Sequence, residues 1–178
     1  KARFDIKKKQ ITCTEMEYIT VADSRIYPDS NKIVIEKKAR IRTLEKSRIV
    51  SNYITKYHEI KGATTDIKGK NDYKSSGYYQ YKDELGKTQE VFFAKIEPDT
   101  AYRSYAKGDI KETAEFKLSP HFDYYGQVEM FAAQKELLFT GVTRIKHRCD
   151  DITKNWMHFS APLDPENIMI PVTDDLRD

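Results

Sequence analysis

Glycine and proline are scarce in this 178-residue chain, at seven and six. That excludes a collagen-like repeat and a flexible low-complexity tether, both of which need far more of them. No apolar run approaches the roughly 20 residues of a membrane-crossing helix, so no transmembrane segment is expected. Cysteine occurs twice, at Cys13 and Cys149, without a C-x-x-C pair that would suggest zinc or thiol redox chemistry. Those two residues fit one bridge between the ends of the fold or two buried thiols, and the sequence leaves both open. Also missing are G-x-S-x-G, H-E-x-x-H, the P-loop and G-x-G-x-x-G, which removes the familiar hydrolase, zincin and nucleotide-binding signatures. No cofactor and no catalytic residue is expected. The sequence opens at Lys1 rather than at Met and shows no charged-then-apolar leader, and the expectation is a processed chain or an excised fragment.

What is present reads as globular and β-rich. The chain is 39% hydrophobic and 33% charged, with twelve Tyr and eight Phe against a single Trp. Aromatic and β-branched residues of this kind favour the pleated, half-buried surface of a sheet. The length suits one β-rich domain over residues 1–178, a piece of a larger protein. Net charge is only +3 but uneven: residues 1–61 carry +7 and residues 150–178 carry −5. A basic first third can attract phosphates, anionic glycans or a membrane surface, while the plainer reading is a solvated face.

Alternation with a period of two marks the strands. Ile33 and Ile35 alternate with polar neighbours; Phe92, Ala94 and Ile96 do so before Pro98-Asp99; Phe116 and Leu118 precede Ser119-Pro120. From His121 to Lys146 the pattern predicts two long strands joined near Ala133-Gln134-Lys135, with Gly126 and Gly141 at bends or bulges. Turn signals stand at 27–31, 70–72, 84–86 and 163–167. Residues 44–60 are ambiguous, because Val50, Tyr53, Ile54 and Tyr57 have helical spacing while their β-branched and aromatic content favours a strand. A loose rhyme places a polar turn before an apolar pair in segments 5–11, 29–35 and 133–139. The fold class expected is therefore all-β with little helix: many short strands in an elongated β-solenoid or a jelly roll.

Among residues able to carry chemistry, Tyr73, Tyr78, Tyr79 and Tyr81 beside Lys70, Lys74 and Lys82 form the best ligand-binding candidate. Such rings stack on sugars, or on bases where lysines hold phosphates; core packing is the competing reading, and no nucleic-acid partner is expected. Tyr79 and Tyr81 fall on one strand face and Tyr78 on the other. His147 and Cys149 share a face but make only two ligands, so no metal is expected. Asp83-Glu84, Asp150-Asp151 and Asp174-Asp175 are adjacent acids that point in opposite directions on an extended chain, which suits surfaces and turns better than acid–base catalysis. Ser75 and Ser76 have no evident base. A hydrolase would need scattered acids to converge with His58, His121 or His158.

Further stretches are Val21-Ala-Asp-Ser-Arg-Ile-Tyr-Pro-Asp-Ser30, Lys56-Tyr-His58, Ser76-Gly-Tyr-Tyr-Gln-Tyr-Lys-Asp-Glu84, Leu118-Ser-Pro120, Phe139-Thr-Gly141, Ile145-x-His147-x-Cys149, Leu163-Asp-Pro165 and Ile170-Pro-Val172. Together they resemble a segment of large uncharacterised cell-envelope proteins of Bacteroidetes-type bacteria. A shorter pattern, Tyr124-Tyr-Gly-Gln-Val-Glu-Met-Phe-Ala-Ala133 followed by Glu136-Leu-Leu-Phe-Thr-Gly141, is similar to rungs of OstA-like lipopolysaccharide-transport jelly rolls. These resemblances imply a periplasmic or outer-membrane-associated, non-catalytic structural or interaction module whose partners are other domains of its parent protein, and lipid or lipopolysaccharide held in an open slot between sheets. Glycan binding through the tyrosines is the alternative.

Overall fold

A computed structural model describes residues 1–148, 155–164 and 167–170. Cys149 lies outside them, and with it the readings that pair it with Cys13 or His147; so do Asp150-Asp151 and Asp174-Asp175. The described residues are all-β. The strands are β1 (Ala2–Asp5), β2 (Gln10–Thr14), β3 (Ile19–Val21), β4 (Ser24–Tyr27), β5 (Lys32–Ile35), β6 (Leu44–Ser51), β7 (His58–Gly69), β8 (Asp72–Lys82), β9 (Thr88–Pro98), β10 (Ser104–Ile110), β11 (Lys117–Ser119), β12 (Phe122–Phe131), β13 (Leu137–Ile145) and β14 (Met157–Leu163). Helix among the described residues is limited to two 3₁₀ turns, Lys37–Ala39 and Glu112–Ala114.

The main sheet runs β14-β13-β12-β10-β9-β8-β7-β6-β4-β3, with β11 added on β12, and a small sheet has the order β1-β2-β5. Every strand pair described is antiparallel. This pairing is that of a curled, jelly-roll-like sheet rather than a stack of solenoid rungs. Two of the rhyming segments, 5–11 and 133–139, are hairpin turns and the strands they feed, which short polar links join only when neighbours run in opposite directions; the third, 29–35, leads from β4 of the main sheet to β5 of the small one. The strands are also longer than the sequence suggested, reaching 12 residues in β7 and 11 in β8 and β9. Residues 44–60 form β6, a loop and the start of β7. The helical spacing there is an accident of a strand followed by an exposed loop, since Ile54 and Tyr57 project from the loop at 77% and 49% exposure.

One face of the curled sheet is the core. Tyr73, Tyr81, Phe93 and Phe139 are fully buried there, and Tyr124 nearly so. Tyr81 of β8 meets Phe139 of β13 edge-on at 5.9 Å although three strands lie between them in the sheet, so the concave face closes on itself. Each such ring removed from water contributes about 1.5–3 kcal/mol. In β9 the expected Phe92/Ala94/Ile96 alternation is split: Ile96 is buried, while Phe92 and Ala94 are exposed. A bulge opposite Ser75–Gly77 adds a residue, so Val91, Phe93 and Ile96 turn inward and Phe92 is 46% exposed.

The two glycines flagged in β12 and β13 are paired directly with each other. Gly126 has φ +145°, a conformation L side chains rarely adopt. The Tyr124 ring turns over this pair, and its hydroxyl donates to the Gln127 carbonyl at 2.5 Å. A side chain on either glycine would occupy the space of that hydroxyl and of the neighbouring backbone.

Candidate functional site

At one end of the roll the sheet stops in three connections, each held by its own polar residues. After β8, the Asp83 carboxylate accepts the backbone N–H of Leu85 at 3.0 Å and of Lys87 at 2.8 Å, and Gly86 takes φ +80° to close the turn. Between β6 and β7, the Asn52 side chain accepts from Ile54 and Thr55 at 3.1 and 3.3 Å. The Thr55 hydroxyl donates to the Ala132 carbonyl at 3.4 Å, tying this loop to the β12–β13 turn. In the same region Lys135 and Asp164 pair at 3.0 Å. Enclosed by these connections is an open groove of about 470 Å³, lined by Tyr57, Tyr79, Gln80, Lys82, Lys135 and Asp164 together with the 83–86 turn.

His58 sits beneath it. The ring is buried, with Tyr79 at 5.7 Å and Tyr57 at 6.5 Å between centroids. Its Nε2 lies 2.6 Å from the Gln134 carbonyl, which requires an N–H there. Its Nδ1 is buried without a hydrogen-bond partner. Protonating Nδ1 would place a donor where nothing accepts it, and burial lowers the His58 pKa below its ordinary value, against the Gln134 carbonyl and Glu136, which raise it. The imidazole is thus held neutral and structural. Burial likewise pushes the Tyr79 hydroxyl pKa up.

The four tyrosines expected to bind a ligand do not form one platform. Tyr73 and Tyr81 have no exposed surface. Tyr73 shares a buried polar knot: its hydroxyl lies 2.8 Å from Ser104 Oγ and 3.3 Å from Ser24 Oγ, and Asp23 accepts from Ser104 Oγ at 2.5 Å. Burial pushes the Tyr73 pKa up to about 12. Tyr81 donates to the Leu118 carbonyl at 2.6 Å, and burial pushes its pKa up as well. Tyr78 is on the outer face, as alternation predicts, where it leans on Phe92 at 5.1 Å. Only Tyr79 reaches the groove.

The remaining candidates are dispersed. Ser75 Oγ joins a hydroxyl row with Thr65 at 2.8 Å and donates to the Thr64 carbonyl at 2.9 Å. Asp83 is buried against its own turn while Glu84 is exposed, both in the connection after β8. His121 is exposed in the turn before β12, and His158 faces outward on β14. Among the described residues, no three of His, Cys, Asp and Glu come together to hold a metal ion. Nor is any helix there long and apolar enough to cross a membrane.

Sequence reasoning missed Tyr57, Lys135 and Asp164 as neighbours of Tyr79, because they converge only through the curl of the sheet. It also missed a stack on the β3–β4–β6 edge. Arg25 lies over the rings of Tyr18 at 4.5 Å and Tyr53 at 5.3 Å, Tyr18 meets Tyr27 at 5.6 Å, and Arg48 covers Tyr27 at 3.9 Å. Such guanidinium–ring contacts contribute about 0.5–2 kcal/mol each. Compared with known proteins, the chain matches no family model, no curated protein and no solved structure.

Proposed function

We propose that this chain is a non-catalytic interaction module of a bacterial cell envelope, periplasmic or outer-membrane-associated, acting within a larger protein. The observation that carries the reading is the state of the groups around the groove. Asp83 is bound to its own turn, His58 is held neutral against Gln134, and Lys135 is paired with Asp164. The groove also presents Tyr57, Tyr79, Lys82, Glu84 and Gln80, whose amide oxygen accepts from Lys61 Nζ at 2.9 Å. That set suits recognition better than proton transfer. A lipid contact in this reading belongs on the exterior, because aromatic side chains fill the concave face where an acyl chain would otherwise lie.

A glycan is the second reading, favoured by the half-exposed Tyr57 ring beside Gln80 and Lys82. Backbone amide shifts recorded during titration with envelope oligosaccharides and with extended peptides test both. Saturable shifts at residues 57, 79, 80 and 82, lost in Tyr57→Ala, are the expected result. Turnover of chromogenic glycosides or esters, abolished by His58→Gln or Asp164→Asn, would refute a non-catalytic role. Fractionation of cells making the tagged parent protein tests the envelope location, and a cytosolic distribution would overturn it.

A further inference from the structure

The most one-sided charge in the described chain lies on the small sheet. Residues 1–14 and 32–42, which hold β1, β2, β5 and the segment after them, carry ten Lys or Arg against two acids. Among the described residues no ion pair engages Arg3, Lys7, Lys8, Lys9 or Lys32. Register places Arg3 opposite Thr12, and Thr14 opposite Lys32, on one face of this sheet. There Lys1, Arg3, Lys7, Lys32, Thr12 and Thr14 line a shallow depression of about 720 Å³, which Phe4, Asp5 and Ile6 border at the tip end.

The other face is apolar, with Phe4 opposite Ile11 and Ile11 opposite Ile35. At β5 it enters the core, where Ile33 is 5% exposed; at β1 it overhangs, and Phe4 is 59% exposed. The hairpin tip continues this overhang with Ile6, 78% exposed, directly before Lys7-Lys8-Lys9. The one acid of the tip, Asp5, accepts the Lys8 backbone N–H at 3.0 Å.

We propose that this sheet docks on the surface of an anionic lipid bilayer, with the β1–β2 tip entering the headgroup layer. A solvated face needs no phenylalanine and isoleucine at its tip, and a soluble polyanion uses only the cations. Phe4 and Ile6 gain by contact where hydrocarbon lies just beneath phosphates, which is the layered arrangement of a membrane interface. Each lysine near such a surface contributes about fivefold in affinity, so three supply about 100-fold. The inference deepens the envelope reading and rests on it for the presence of a membrane. It shares no residue with the groove.

Vesicle flotation tests it, using phosphatidylcholine alone and phosphatidylcholine mixed with phosphatidylglycerol, at low and high salt. The chain is expected to float with the mixed vesicles only, and less at high salt. Substitution K7E/K8E/K9E should weaken this by about 100-fold or more. Substitution F4S/I6S should weaken vesicle binding by about tenfold while leaving binding to heparin, a soluble polyanion, unchanged. All of these positions are exposed, so unchanged melting temperatures certify the fold; should F4S/I6S melt lower, the single I6S replaces it. No flotation with mixed vesicles overturns the proposal, and so does flotation indifferent to F4S/I6S, which would mark a site for soluble polyanions. A cytosolic parent protein whose hairpin still binds vesicles would refute the envelope reading alone.

Discussion

Gly141→Ala isolates the packing argument at the β12–β13 pair. A methyl at Gly141 would meet the Tyr125 carbonyl oxygen, the Gly126 Cα at 2.7 Å and the Tyr124 hydroxyl at 3.1 Å. Two of these three are backbone and cannot rotate away, which puts the cost at the top of the overpacking range, about 3 kcal/mol. Alanine restricts the unfolded chain and returns about 0.4–1 kcal/mol. The net loss is about 2 kcal/mol, equivalent to a fall of about 4–8 °C in melting temperature for a chain of this length. Gly69→Ala is the internal control: nothing lies within 4 Å of its Cβ position, so the same entropy gain should appear without the clash. It should hold or raise the melting temperature by about 1–4 °C. Calorimetry, with urea unfolding followed by circular dichroism, reads both. Equal melting temperatures for the two variants, or a Gly141→Ala protein as stable as its parent, would refute the reasoning. Tyr124→Phe added to Gly141→Ala should recover little, because removing the hydroxyl leaves the backbone contacts in place.

The remaining predictions concern polar groups inside the roll. His58 has a folded pKa below its unfolded value of about 6.5, so its contribution to stability is complete above that pH and declines as pH falls below it. The urea midpoint should drop between pH 7.5 and pH 5, and His58→Gln should flatten that part of the profile; a His58→Gln curve parallel to the parent's over this range would show that the ring does not titrate as argued. In the knot around Tyr73, Tyr73→Phe leaves Ser24 and Ser104 bonded to each other at 2.7 Å, and should cost about 1 kcal/mol. Asp23→Ala removes the acceptor of both the Ser104 N–H and hydroxyl, and should cost on the order of 3 kcal/mol; the reverse order in denaturant titrations would contradict this account of the knot. Because Tyr73 is raised to about 12 from an unfolded value near 10, its contribution is complete below pH 10 and declines as pH rises toward 12.

Much of the strand inventory was legible in the residues. Alternation and turn chemistry located β5, β11, β12 and β13 and the turns at 27–31, 70–72, 84–86 and 98–99, because both signals act over a few residues. They also placed Tyr78 opposite Tyr79 and Tyr81, and flagged Gly126 and Gly141, whose direct pairing only the structure shows. Phe92 went to the wrong face because a bulge inserts one residue and reverses every side chain beyond it, and no local pattern announces the insertion. Strand lengths were underestimated because β7 and β8 carry Thr, Ser, Lys and Gly on runs that read as loop.

The candidate site was far less legible. The groove joins residues 57, 79–80, 82–86, 135 and 164, which no sequence window contains. The tyrosine cluster was visible as composition, yet whether each ring packs inward or meets solvent depended on how far the sheet curls. What the sequence determined by itself is the all-β class, the β12–β13 hairpin and the basic balance of the first third, since these follow from period, turn residues and local charge. Tertiary structure alone decided that Tyr73 and Tyr81 are buried, that His58 lies under the groove, and that the concave face is full. Those outcomes depend on contacts between strands far apart in the chain, set by the summed twist and bulges of the whole sheet.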